Sequence, residues 1–92
     1  RLEMRNAEHK VIAAGAQVQL TLKEYELLRL LMENRGRAYT RDQLLMSVWD
    51  SDYFGETRTV DVHIGTLRTK LRECGGYIQT VRGVGYKLEE NI

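Results

Sequence analysis

Residues 57–74 read TRTVDVHIGTLRTKLREC, and their spacing of apolar residues is the clearest structural signal in the sequence. Successive residues of an α-helix are rotated by about 100°, so side chains three and four positions apart share one face. On that spacing the apolar residues of the stretch converge on one side, which is typical of an amphipathic helix packed against a core. The members of this stripe are Val60, Ile64, Leu67, Leu71 and Cys74. The stretch therefore predicts a helix from about Thr57 to Glu73 or Cys74, ended by Gly75 and Gly76.

The opposite face of this helix is unusual for a face that meets only water. It carries an outward valine, Val62, and a mid-helix glycine, Gly65, which costs about 1 kcal/mol relative to alanine. Both suit a DNA major groove, where an aliphatic side chain contacts the thymine methyl and small residues allow a close approach. Arg58 can reach phosphate or guanine, and Arg68 and Arg72 flank the apolar stripe, where they can reach phosphates. The alternative is an ordinary surface helix that tolerates one valine and one glycine.

A β-hairpin signal follows the helix. β-branched and aromatic residues at 77–81 and 86–88 flank a glycine-rich tip at 82–85. Arg82 stands at this tip beside Gly83, and an arginine presented in this way suits a minor groove, whose potential is negative. The helix and the hairpin together would read two adjacent grooves, although a hairpin arginine on its own is usually just solvated.

The first half of the chain predicts short strands followed by two helices. Three short alternating runs within the first twenty residues are typical of a half-buried antiparallel sheet. Capping boxes predict one helix start at Thr21 with Glu24 and another at Thr40 with Gln43. The order of strands, three helices and a hairpin predicts a single domain of the α+β class over residues 1–92.

Charge and composition narrow the classes of function. The net charge of the 92 residues is only +1, but residues 58–88 hold six basic and two acidic side chains, which favours an anionic partner such as nucleic acid. No apolar run is long enough to span a membrane. The lone Cys74 excludes an internal disulfide and is compatible with the cytoplasm. The chain begins at Arg1 instead of methionine, which suggests a fragment of a longer protein.

No catalytic, metal or cofactor site is predicted. Asp61 and His63 are two positions apart on a helix and diverge by about 200°, so they cannot form a dyad. His9 and His63 are far apart and have no cysteine beside them, so zinc is not expected.

Several motifs resemble the C-terminal domain of OmpR/PhoB-type response regulators. RTVDVHI at 58–64 is similar to the third helix of that family, and QTVRGVGY at 79–86 to its wing. Residues 20–28 and 40–49 match the first two helices in order. The resemblance implies a winged helix-turn-helix with an N-terminal four-stranded antiparallel sheet, three helices and a C-terminal β-hairpin wing.

The resemblance also implies a function. It is sequence-specific binding of double-stranded DNA by the output domain of a two-component response regulator that controls transcription in the cytoplasm. The third helix would enter the major groove and the wing the adjacent minor groove. The positions that match DNA contacts of the family are Arg58, Thr59, Val62, Thr66 and Arg68 on the helix, Thr80 and Arg82 on the wing, and Trp49 and Tyr86 near the phosphate backbone. Asp61 is expected to orient neighbouring basic groups, because a carboxylate is repelled by phosphate.

The implied partners are an N-terminal receiver domain, a sensor kinase, a second copy bound head to tail on tandem direct repeats, and RNA polymerase through the loop at 50–57. Gly65 departs from the family pattern, which often has a large polar or basic residue there, so some base contacts of relatives would be missing. The alternative is a winged helix used for protein–protein contact, in which Arg58, Thr66 and Arg82 form a polar rim and binding survives salt.

Overall fold

The computed structural model describes residues 2–49 and 56–89. The chain opens with an antiparallel sheet in the order β1-β2-β3. Its strands are β1 (Leu2–Arg5), β2 (Lys10–Ala13) and β3 (Ala16–Val18). Two helices follow, separated by a short strand. These elements are α1 (Leu22–Glu33), β4 (Tyr39–Thr40) and α2 (Arg41–Trp49). The last described elements are α3 (Arg58–Leu71), β5 (Ile78–Val81) and β6 (Gly85–Leu88). The predicted α+β architecture of three helices and a hairpin is confirmed, and no helix within the described ranges has the length and apolar character to cross a membrane.

The N-terminal sheet differs from the expectation in its number of strands. Among the described residues it has three strands, whereas the family resemblance implied four. β3 ends at Val18 and α1 begins at Leu22, where the Thr21 hydroxyl accepts from Glu24 N at 3.2 Å and Thr21 N donates to Glu24 Oε1 at 2.9 Å. The remaining short strand, β4, pairs with the wing through Tyr39 and Tyr86. The three alternating runs of the sequence thus predicted the sheet better than the resemblance did.

The second predicted capping box also starts a helix. Thr40 N donates to Gln43 Oε1 at 2.9 Å, and Gln43 N donates to the Thr40 hydroxyl at 3.0 Å. Each box satisfies two backbone donors that the first turn of a helix leaves unpaired. Both helix starts are therefore fixed by residues three apart in sequence.

The apolar stripe of α3 faces the core, as its spacing predicts. All five members are at most 2% exposed: Val60, Ile64, Leu67, Leu71 and Cys74. They pack with three buried leucines of α1 (Leu27, Leu28 and Leu31) and with Leu88 of β6. Burying an aliphatic side chain of this size contributes about 1.5–3 kcal/mol, so this stripe fixes which face of α3 is turned outward.

α3 ends at Leu71, earlier than the two glycines predicted. Arg72 has φ 54°, and Arg72–Tyr77 form a 3-10 turn. This early end brings Gly75 against the helix, where an added Cβ would lie 2.4 Å from the Arg68 carbonyl oxygen. Gly75 is therefore required for a close approach between backbones, and it does not act as the stop signal of the helix.

The wing belongs to a second sheet, in the order β4-β6-β5. β6 lies in the middle, with Gly85 opposite Thr40 on one side and opposite Val81 on the other. The hairpin turn is closed by Val84 N, which donates to the Val81 carbonyl at 2.9 Å. This pairing joins the wing to the start of α2.

Candidate nucleic-acid interface

The outward face of α3 carries the residues that the sequence placed there. Arg58, Val62, Gly65 and Thr66 are exposed, and Val62 has 59% of its surface accessible. The Thr66 hydroxyl donates to the Val62 carbonyl at 3.2 Å. A hydroxyl has one donor and two acceptor positions, so Thr66 offers an acceptor to an outside group. Adenine N6 and cytosine N4 are the base donors of the major groove.

Arg68 joins α3 to the wing. Its Nε donates to the Ile78 carbonyl at 3.1 Å, and its Nη2 donates to the same carbonyl at 2.7 Å and to the Thr80 hydroxyl at 2.9 Å. The guanidinium also lies 5.6 Å from the centre of the Tyr86 ring. The side chain that was predicted to reach DNA is thus half-buried and engaged within the protein.

Asp61 of α3 connects this helix with α2 and β6. Its Oδ1 accepts from the Tyr86 hydroxyl of β6 and, at 2.8 Å, from Nε of Arg41 in α2. Tyr86 is only 6% exposed, so its ring belongs to the core and its hydroxyl is already in use. Asp61 holds a basic neighbour, in agreement with the role expected of it, and that neighbour is Arg41.

The electrostatics of this contact keep Asp61 ionised. Burial raises the pKa of Asp61, but the hydrogen bonds from Tyr86 and Arg41 outweigh it and hold the pKa below the ordinary value of 3.8. Burial and the bond to Asp61 raise the Tyr86 pKa above 10.0, so the phenol remains a donor at neutral pH. The acidic group of α3 is therefore compensated within the protein, and the Arg41 side chain remains half exposed beside it.

Trp49 and Thr59 lie at the junction of α2 and α3. The edge of the Trp49 ring meets the His63 ring, with 4.8 Å between centroids and 80° between planes. His63 Nδ1 lies 2.9 Å from the Thr59 carbonyl oxygen. Trp49 and Thr59 are both half-buried, so each exposes part of its surface near the start of α3. The predicted polymerase-contacting loop lies mostly outside the described residues, since 50–55 are not described.

The wing presents Thr80 and Arg82 to solvent. Both are exposed, and Arg82 forms no ion pair with any residue in 2–49 or 56–89. Within these same ranges no group of three potential metal ligands comes together.

The nine predicted site residues thus fall into three groups. The exposed group is Arg58, Val62 and Thr66 on α3 with Thr80 and Arg82 on the wing; the half-buried pair is Trp49 and Thr59; and Arg68 and Tyr86 lie where α3 and the wing meet. Sequence reasoning missed Arg41. Its only local signal is its place after the capping residue Thr40, and nothing in that position indicates a partner 20 residues away.

A family profile described as "Transcriptional regulatory protein, C terminal" matches residues 15–88. The sensory transduction protein RegX3 of Mycolicibacterium smegmatis is 49% identical over 84 residues, which cover 88% of this chain and 37% of RegX3. The chain thus spans little more than a third of the length of that relative.

Solved structures share the fold closely. The DNA-binding domain of the response regulator AdeR, in complex with an intercistronic region, matches with a TM-score of 0.85 and 34% identity, covering 98% of this chain and 95% of that chain. The RstA DNA-binding domain of Klebsiella pneumoniae, in complex with the RstA box, matches with a TM-score of 0.83 and 32% identity, covering 96% and 90%.

Proposed function

Because the chain belongs to the OmpR/PhoB-type family of C-terminal DNA-binding domains of response regulators, we propose that it binds double-stranded DNA in a sequence-specific manner. That family consists of DNA-binding transcriptional regulator domains and not of enzymes. The proposed role is that of the output domain of a two-component response regulator controlling transcription. Such a role would put the protein in the cytoplasm, together with the chromosome.

α3 would lie in the major groove and the wing in the adjacent minor groove. α3 has 14 residues, and an α-helix with its side chains is about 10–12 Å in diameter, which fits a major groove about 12 Å wide. Val62 would contact a thymine methyl, Thr66 would accept from a base amino group, and Arg58 would reach phosphate or guanine. Arg82 would extend from the wing into the minor groove. Trp49 and Thr59 would meet the phosphate backbone at the start of α3.

One observation carries the proposal. α3 turns outward a face with Arg58, the exposed Val62 and no unpaired carboxylate, since the single acidic residue of α3, Asp61, is engaged by Arg41 and Tyr86. A surface that meets phosphate must avoid unpaired negative charge, whereas an ordinary solvated helix face need not.

The proposal also covers the partners of the domain in the full-length protein. The net charge of +1 predicts modest affinity for a single copy, so binding by two copies to tandem direct repeats would matter. The proposal includes a receiver domain and a sensor kinase as partners. It also includes a contact between the loop at 50–57 and RNA polymerase.

The test is a selection of binding sites from random duplexes, followed by titration of the recovered site at several salt concentrations. We expect a defined sequence, and a log affinity that falls with log salt by about 0.9 per phosphate contacted. Arg82→Ala should weaken binding and reduce this slope. Arg5→Ala, which removes an exposed arginine from the other sheet, serves as the matched control and should change neither.

Val62→Ala should lower discrimination at one thymine more than it lowers total affinity. Equal losses on the selected duplex and on random DNA would contradict direct reading by α3. Failure to recover any sequence, or binding that does not respond to salt, would instead favour a protein-binding winged helix.

A further inference from the structure

We propose that Arg68 is a positioning residue that fixes the wing relative to α3 and aims the Thr80 hydroxyl at the DNA, instead of neutralising a phosphate itself. This inference rests on the proposed DNA binding, and it changes the role expected of Arg68 from the sequence.

The first argument is the number of donors that Arg68 has committed. A guanidinium has five N–H donors in a fixed plane. One on Nε and two on Nη2 already bond to the Ile78 carbonyl and the Thr80 hydroxyl. Both edges that can bind an oxygen pair include Nη2, so neither can be presented to a phosphate without breaking a bond to Ile78 or Thr80. Only the two N–H donors of Nη1 lie outside these bonds.

The second argument is the place of β5 in its sheet. β5 is an edge strand of the β4-β6-β5 sheet, and an edge strand presents backbone groups that lack a strand partner. Arg68 closes this edge at Ile78, the first residue of β5, with the two bonds from Nε and Nη2. Since Arg68 projects from α3, the contact sets the distance between α3 and the first strand of the wing.

The third argument concerns the direction of the Thr80 hydroxyl. A hydroxyl oxygen that accepts a hydrogen bond keeps its own hydrogen for another acceptor. The Thr80 oxygen accepts from Arg68 Nη2 at 2.9 Å, and Thr80 is exposed. Its O–H therefore points away from the positive guanidinium. The acceptors within reach of a wing on DNA are phosphate oxygens and, in the minor groove, adenine N3 and thymine O2.

The guanidinium is itself held by its surroundings. The Tyr86 ring lies 5.6 Å from it, and Tyr86 is buried and bonded to Asp61. The face of an aromatic ring attracts a cation, so this contact with β6 further restrains the guanidinium that is bonded to β5. The chain of contacts from Asp61 through Tyr86 and Arg68 to Thr80 would make the spacing of the two groove-reading elements a fixed property of the domain.

The experiment compares Arg68→Lys, Arg68→Gln, Thr80→Val and the double variant Arg68→Lys/Thr80→Val on the duplex recovered by selection. Lysine keeps the positive charge but lacks the planar set of N–H donors that bonds to Ile78 and Thr80. We therefore expect Arg68→Lys to bind the duplex at least tenfold more weakly at every salt concentration. We expect Arg68→Gln to keep the salt slope of the unsubstituted chain. Thr80→Val should weaken binding in the unsubstituted chain but have little further effect in the Arg68→Lys background, because the hydroxyl is no longer aimed there.

The opposite pattern would overturn the inference. If Arg68 neutralises a phosphate, Arg68→Lys should bind nearly as well as the unsubstituted chain, and the slope for Arg68→Gln should fall by about 0.9. Additive losses for Arg68→Lys and Thr80→Val would also count against positioning. Circular dichroism of each variant checks the fold, and if Arg68→Gln unfolds, the lysine variant and the double variant decide the question. Absence of DNA binding by the unsubstituted chain would instead overturn the proposed function itself.

Discussion

Replacing Gly85 with alanine tests how tightly β4 is held against the wing. Gly85 pairs with Thr40, and Tyr86 pairs with Tyr39, in the only ladder that joins the start of α2 to the described wing residues. A Cβ built on Gly85 would lie 2.0 Å from the Tyr39 carbonyl oxygen and 3.0 Å from the Thr40 Cα atom. Both obstructing atoms belong to the backbone, so no side-chain rotation relieves the contact.

The geometry sets the size of the effect. Carbon atoms in contact normally lie about 3.5–4.0 Å apart, so β4 would have to move by more than about 1 Å. Such a shift adds an overpacking cost of about 1–3 kcal/mol and weakens ladder bonds that contribute about 0.5–1.5 kcal/mol each. We expect Gly85→Ala to lower the free energy of unfolding by about 2–4 kcal/mol. A domain of this size has roughly 5–14 kcal/mol in total, so the loss is large but permits folding at low temperature.

The measurement is guanidinium unfolding followed by circular dichroism, supported by thermal melts, in which we expect Tm to fall by roughly 10–25 °C. Gly76→Ala is the matched control, because a Cβ there meets nothing within 4 Å and the backbone is not left-handed. The control should stay within about 0.5 kcal/mol of the parent chain. A Gly85→Ala protein as stable as the control would refute the tight packing of β4 against β6.

Three further predictions concern stability and can be measured by the same titrations. Gly65→Ala should stabilise the chain by about 0.5–1 kcal/mol, because Gly65 lies in open space within α3, and a loss of stability would contradict that environment. Lys70→Met should lower the free energy of unfolding by about 1–2 kcal/mol, since it removes the ammonium 2.7 Å from the buried Glu24 carboxylate. The loss is modest because the Lys70 side chain is 35% exposed and solvent screens the ion pair. Lys10→Met, at an exposed site, is the control and should hardly change the stability. Burial raises the pKa of Glu24, but the bonds from Lys70 and Thr21 lower it below 4.5, and the Asp61 pKa is lowered likewise. The stabilisation from these two carboxylates is therefore complete above their ordinary pKa values, and it is lost as pH falls through the lower folded-state pKa values. We expect the guanidinium concentration at the unfolding midpoint to fall as the pH is lowered from 5 to about 3. This fall should be less steep for Glu24→Gln.

Much of the scaffold could be predicted because its determinants are local. The capping boxes at Thr21 and Thr40 depend on side chains three positions away, and the buried stripe of α3 follows from helical spacing alone. Val62 is exposed because it lies on the face of α3 opposite that buried stripe. Contacts between residues three or four positions apart can be predicted directly from the sequence.

The contacts that organise the site could not be predicted in the same way. Asp61 meets Arg41 and Tyr86 from 20 and 25 residues away, and Arg68 meets Ile78 only because the chain reverses after α3. That reversal begins at Arg72, whose positive φ is not signalled by a glycine at position 72. Periodicity can show which face of α3 looks outward, but it cannot show which partner a long polar side chain finds.

The central position of β6 also has a consequence for synthesis on the ribosome. β4, at residues 39–40, is made early, yet its partner strand is made only when residues 85–88 are added. Until then the nascent chain lacks both Tyr86, which bonds to Asp61, and the strand that pairs with β5. In the proposed function, the surface formed by α3 and the wing is therefore complete only when residues 85–88 have been made.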